Sequence, residues 1–156
     1  MITCSFEDGG GSSLRHVVVD NLVLQDEKIL LVKRAGKLLE GGKWGLPGGF
    51  VERNETIKAA AAREIREETG YEVGDVTLFR IIDMPNRPAE DRQNIAFVHF
   101  CFARDKVGAP DAESSDVQWF PLSALPEEPA FAFDHYSNIR LYREFLASRF
   151  DLPLLR

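Results

Sequence analysis

The sequence predicts one mixed α/β domain with helices packed on a β-sheet, and three observations carry this. β-rich runs and helical stretches follow one another as strands, helix, strands, helix. The 156 residues suffice for one domain with a real core and are too few for two full ones. No internal repeat or low-complexity linker divides them.

Taken in order, residues 1–13 (MITCSFEDGGGSS) end in a glycine–serine run and read as a flexible leader, leaving 14–156 as the single domain. HVVVDNLVLQDEKILLVKR holds two β-rich runs, about 16–24 and 28–34, turned at Asp26 and Glu27 as a hairpin. A glycine-rich loop, GKLLEGGKWGLPGG, follows. Residues 56–69 read as a helix: Asn54 or Thr56 can cap its start, and Gly70 stands where a left-handed C-terminal residue is wanted. VTLFRIID and NIAFVHFCFAR are strands, the second alternating between two faces, and VQWFPLSALP is a short strand running into a turn. From about Tyr136 to Phe150 the spacing of Ile139, Leu141, Tyr142, Phe145 and Leu146 predicts a second amphipathic helix, with Asp134 as its N-cap.

Composition narrows the function. Hydrophobic content of 44% and charged content of 28% are ordinary for a soluble globular protein. No apolar run approaches the ~20 residues of a membrane span, and the N-terminus lacks the basic start and apolar core of a secretion signal. Cys4 and Cys101 form neither a disulfide framework nor a CxxC pair, so the expected setting is a reducing cytoplasm. A net charge of −6 argues against nucleic-acid binding, which needs a basic face. It leaves room for a small anionic ligand, because a bound divalent cation reverses the local field.

The chemistry concentrates in REIREETG, residues 63–70. With Glu64 as zero and 100° per residue, Ile57 lies at about 20°, Ala61 at about 60°, Glu68 at about 40°, Ala60 at about −40° and Glu67 at about −60°. Glu64, Glu67 and Glu68 thus continue a stripe that is apolar one or two turns earlier and should face the protein. Three inward carboxylates near a helix C-terminus repel one another, lose hydration and oppose the macrodipole. Arg63, four residues before Glu67, can neutralise one. The remaining charge calls for a cation, and all-oxygen ligation selects Mg²⁺ or Mn²⁺ over zinc.

Reading outward, Gly49 is followed after five residues by Glu55, and after seven more by Arg63, Glu64, Ile65, Arg66, Glu67, Glu68, Thr69, Gly70 and Tyr71. This resembles the Nudix box. Seven fixed positions match; at roughly 7% background each, chance gives on the order of 10⁻⁸ per start position. Tyr71 departs from the aliphatic residue of the last position. KWGLPGGFVE and VQWFPLSALP look like Nudix flanks, and FAFDH, at 131–135, is similar to a segment of Nudix proteins grouped with ADP-ribose pyrophosphatases.

The resemblance implies the Nudix α/β/α sandwich with a mixed central sheet, and hydrolysis of a nucleoside diphosphate derivative by water attacking phosphorus. Such chemistry asks mainly for positioned cations and an oriented water. Glu64, Glu67 and Glu68 would hold Mg²⁺ (Mn²⁺ as substitute), with the Gly48 carbonyl as a further ligand. Glu55 would stand behind them, paired with Arg63 as orienter. Glu67 or Glu64 is a candidate general base, and Glu113, six residues before Trp119, is another. Read structurally, Arg63 is a plain ion pair and Glu113 a solvated loop acid. His99 reads as a core histidine and His135 as a structural residue at the last helix. Trp44 could stack on a base or anchor its loop.

The loop IIDMPNRPAEDRQN, 81–94, falls where Nudix families vary with substrate. Arg87 and Arg92 could fork onto a distal phosphate or ribose, or stand as solvated charges. With FAFDH, this favours ADP-ribose or a related nucleotide sugar over nucleoside triphosphates and dinucleoside polyphosphates. A non-catalytic nucleotide-sugar sensor is disfavoured, since no basic helix follows the Nudix part and no box acid is missing. Related enzymes are often dimers, so a homodimer is one assembly the resemblance allows.

Overall fold

The computed structural model describes residues 2–89 and 92–155. Its first two strands, β1 (Ile2–Ser5) and β2 (Gly11–Leu14), pair antiparallel with Ile2 opposite Leu14. The stretch read as a flexible leader forms a hairpin of its own, separate from the main sheet. Its glycines serve the turn: Asp8 Oδ1 accepts the Gly10 N–H at 2.8 Å, and Gly9 takes φ 85°.

The main sheet follows. β3 (Val17–Gln25) and β4 (Lys28–Arg34) form the expected hairpin, with Asp26 and Glu27 both left-handed at φ 46° and 60°. That two-residue turn matches the twist of the flanking strands. Short β5 (Trp44–Gly45) pairs with β4, and β6 (Gly48–Phe50) pairs with β3. Helix α1 (Ile57–Thr69) comes next, then β7 (Tyr71–Val73), β8 (Thr77–Ile82), β9 (Ile95–Lys106) and β10 (Ser114–Pro121). A 3₁₀ turn at Glu128–Ala130 leads into α2 (His135–Ser148) and the terminal β11 (Leu154–Leu155).

The strand order is β10-β4-β3-β9-β8-β11. β3 runs parallel to β9, and β11 parallel to β8; the other pairs along this path are antiparallel, so the sheet is mixed as expected. Alternation along β3 and β4 feeds two cores. Leu22, Leu24, Ile29 and Leu31 pack with Phe79 and with Ile139, Tyr142 and Phe145 of α2. Val19, Val23 and Leu30 pack with Ala60, Ala61 and Ile65 of α1. One helix covers each face, which is an α/β/α sandwich. No described helix is long and apolar enough to cross a membrane.

Candidate active site

The site is built where α1 meets β6. Thr56 caps the helix, its Oγ1 accepting the Ala59 N–H at 3.1 Å, and Gly70 ends it at φ 77°. A Cβ on Gly70 would also collide with the Gly108 carbonyl, so glycine is needed twice over.

The helix buries Ala60, Ala61, Ile65, Glu68 and Thr69. That face is centred roughly 60° round from Glu64. Glu68 is therefore buried, Glu64 half-buried and Glu67 exposed, which corrects the expectation of three carboxylates turned equally inward. The buried stripe is turned further round because Ile65, at about 100°, and Thr69, at about 140°, extend it on one side, while Ile57 is only half-buried.

Arg63 organises the carboxylates. Its Nε and Nη2 fork onto Glu55 at 3.1 and 2.7 Å, and Nη1 donates to Glu64 at 2.9 Å and Glu67 at 3.0 Å. Nη2 also reaches the Phe50 carbonyl at 3.0 Å, and Glu55 accepts the Glu52 N–H at 2.7 Å. The Arg63 hydrogen bonds hold the Glu55 carboxyl below its ordinary value. Glu55 thus fixes the guanidinium, which in turn fixes two box glutamates.

Glu68 is held from the strand side, where its Oε2 accepts the Gly48 N–H at 2.9 Å. Burial pushes its carboxyl up to about 8, the Gly48 N–H opposing and Glu64 adding to the rise. Burial likewise raises Glu64, with Arg63 opposing and Glu67 and Glu113 contributing. The glycines make this proximity possible. A Cβ on Gly48 would run into the Val19 carbonyl, and one on Gly49 would lie 2.5 Å from Glu64 Oε1.

Gly48, Gly49, Arg63, Glu64 and Glu67 line a polar cleft of about 490 Å³, as do Glu113 and Asp111, and Glu68 lies buried behind them. Glu113 is exposed; its carbonyl accepts the Ala35 N–H at 2.9 Å and its N–H reaches Asp111 Oδ1 at 2.9 Å. Arg92 is also exposed and lines the cleft, its guanidinium 5.5 Å from the Phe50 ring centre.

Two expectations change in the structure. Arg87 is not a free loop cation: its side chain is 3% exposed and engages Asp134 at 2.6 Å and Asp20 at 3.2 Å. Burial in an acidic niche is more favourable for this guanidinium than extension into solvent, because two carboxylates compensate its lost hydration. Asp134, spent on Arg87, makes no side-chain cap to α2 although it holds the N-cap position. Trp44 does not line the cleft. It packs edge-on to Phe120 at 4.9 Å, and its carbonyl accepts the Ala132 N–H at 2.8 Å, so it anchors its loop.

His135 serves structure, its Nδ1 accepting the Leu46 N–H at 2.9 Å and its Nε2 facing Asp20 at 3.5 Å. Sequence reasoning missed Asp20 and Arg34. An aspartate inside VVVDNLVL is a polar residue in an otherwise apolar run, and that was its signal.

The donor set suits a hard divalent cation: all-oxygen carboxylate groups on adjacent turns of one helix. Among the described residues no three acidic, histidine or cysteine side chains converge closely enough to enclose an ion. Arg63 supplies the positive charge between Glu64 and Glu67.

A mixed sheet flanked by two helices, with an arginine-clamped carboxylate cluster over a glycine strand, defines a Nudix-type α/β/α hydrolase fold. The Nudix domain model matches residues 14–142, and the chain belongs to the Nudix hydrolase family. It is 36% identical over 127 residues to an ADP-ribose pyrophosphatase of Methanocaldococcus jannaschii, spanning 81% of this chain and 72% of that one. It is 29% identical to an 8-oxo-dGDP phosphatase of Homo sapiens, across 83% of this chain but only 39% of the relative. A Nudix hydrolase structure from Nitrosomonas europaea superposes with a TM-score of 0.77 at 25% identity, covering 99% of this chain and 92% of that one.

Proposed function

We propose that the chain is a Mg²⁺-dependent pyrophosphohydrolase of nucleoside diphosphate derivatives, with ADP-ribose or a related nucleotide sugar as substrate. The observation that carries this is the Glu55–Arg63 clamp, which aims Glu64 and Glu67 into the cleft beside buried Glu68. Glu64, Glu67 and Glu68, with the Gly48 carbonyl, would hold Mg²⁺, or Mn²⁺ in its place. Bound there, the ion would neutralise pyrophosphate charge and lower the pKa of a bound water.

The chain's own residues position and exclude. Gly48 and Gly49 let the backbone approach the diphosphate closely. Glu67, Glu64 or the rim residue Glu113 accepts the proton of the attacking water, whose oxygen joins phosphorus as the bridging oxygen leaves with the departing phosphate. Arg92, beside Phe50 in the same cleft, meets the distal phosphate or ribose. The M. jannaschii relative supports ADP-ribose as substrate. The human relative, an 8-oxo-dGDP phosphatase, supports a second reading, a nucleotide-pool activity on nucleoside phosphates.

The test is a screen of ADP-ribose, nucleotide sugars, (d)NTPs and dinucleoside polyphosphates with Mg²⁺, both products being identified. ADP-ribose should give AMP and ribose 5-phosphate, and EDTA should abolish this. Binding without cleavage of any substrate would instead make the chain a sensor. A homodimer in a cytoplasmic setting completes the proposal; sedimentation reads the first, and free Cys4 and Cys101 are in keeping with the second.

A further inference from the structure

Part of the cleft lining has no counterpart in the box chemistry. Phe133 belongs to it, and its backbone is left-handed at φ 52°. An aromatic residue is strained in that conformation and holds it only if its surroundings dictate it. They do so on both sides. Before it, the Ala132 N–H donates to the Trp44 carbonyl at 2.8 Å. After it, Asp134 is clamped by Arg87 and His135 by Leu46.

The ring so placed pairs with Arg34, whose guanidinium carbon lies 5.1 Å from the ring centre and whose Nε donates to the Leu39 carbonyl at 2.8 Å. Arg34 lines the same cleft. His135 lies tilted against the same ring at 5.4 Å, and a guanidinium over an aromatic ring, both lining a polar cleft beside the box carboxylates, offers a surface that a flat heterocycle takes.

We propose that Phe133 and Arg34 form the stacking platform for the nucleobase of the substrate, and that the buried Asp20–Arg87–Asp134 bridge with His135 holds that platform in position. This rests on the nucleotide reading above and assigns the base-recognition end of the same cleft.

The test uses the full chain with Mg²⁺ and two probes, AMP, which carries a base, and ribose 5-phosphate, which does not. Phe133→Ala should weaken AMP binding in calorimetry by roughly ten- to hundredfold, the range for a base that loses its aromatic partner. Ribose 5-phosphate inhibition should stay within about twofold, and Phe133→Trp should restore AMP affinity. For ADP-ribose the loss should appear in KM with kcat nearly unchanged. AMP affinity unaltered in Phe133→Ala, or both probes weakened alike, would overturn the platform. Wild-type protein that neither binds AMP nor cleaves ADP-ribose would instead overturn the nucleotide reading beneath it.

Discussion

Two arginines in this cleft each sit between carboxylates, yet they do different work. Arg63 is 21% exposed at its side chain and gathers three glutamates, two of them on its own helix. Arg87 is 3% exposed and joins Asp20 and Asp134, partners 67 and 47 residues away in the chain. The first hub stays open to water and to a ligand, so its charge can be shared with substrate and metal. The second is closed, and its charge is consumed in joining a loop, a strand and a helix start. Solvent access, rather than charge pattern, separates a reactive hub from a structural one.

Removing the closed hub should have the larger energetic consequence. Arg87→Ala leaves Asp20 and Asp134 facing each other without their cation, and a broken buried pair costs about 3–5 kcal/mol. Urea denaturation should show a loss of this size. Arg63→Ala should lower stability by only about 1 kcal/mol, because its pairs are partly solvated, while abolishing most turnover. A larger stability loss at Arg63 than at Arg87 would invert the comparison.

Next comes Glu68→Gln. It should lower kcat by roughly 10²–10³-fold, the scale for removing one preorganised electrostatic group at a reacting centre. Its melting temperature should hold or rise, since a buried carboxyl whose pKa is pushed up to about 8 is a strained charge in the metal-free fold. Turnover that survives both this change and EDTA would remove Glu68 from the metal set.

The contrast between the hubs also explains what the sequence disclosed. Arg63 and its glutamates lie within one helical turn, so spacing alone brought them together. Glu55 was readable because the box pattern fixes it at a set distance. Gly70 and Thr56 followed from capping chemistry, and the Asp26–Glu27 turn from the paired runs. Arg87 was legible only as a loop cation, because nothing local announces a partner on a strand much earlier in the chain. Asp134 was read as a cap, its local role, and the long-range ion pair displaced it. The left-handed Phe133 was invisible for the same reason: its backbone is set by contacts to β5, α2 and the 81–94 loop together. Glycines 9–11 were read by composition as a leader, although they also suit a hairpin turn.

Acid should reach the closed side of the molecule in two stages. His99 is 1% exposed on β9, its Nδ1 lacks a hydrogen-bond partner among the described residues, and burial lowers its pKa to about 4 despite the nearby Asp20 charge. Its ordinary value is 6.5. Below pH 6.5 the unfolded chain takes up a proton that the folded one refuses until about pH 4. The His99 contribution to stability therefore falls across that window, by about 3 kcal/mol at 1.36 kcal/mol per pH unit, against the opposite contribution of the raised Glu68 carboxyl in the metal-free fold. Burial alone would raise the Asp20 carboxyl, but His135 and then Arg87 outweigh it and hold it low. Its stabilising contribution is present above the ordinary value of 3.8 and fades only below it. The difference in denaturation midpoint between His99→Gln and the parent chain should therefore grow in favour of the variant from pH 6.5 down to about 4 and stay level below that; a difference that does not change with pH would place the titrating group elsewhere.

Glu113 should give the smallest effect and the finest division between the two hubs. It is exposed on a loop pinned by backbone hydrogen bonds to Ala35 and Asp111, and its charge is felt by Glu64. A rim acid free to rotate is weakly preorganised, so its removal should act mainly through that charge. Glu113→Gln is expected to lower kcat by about three- to tenfold, less than ~1.5 kcal/mol. A loss equal to that of Glu68→Gln would make Glu113 the proton acceptor and move the reactive hub beyond the reach of Arg63.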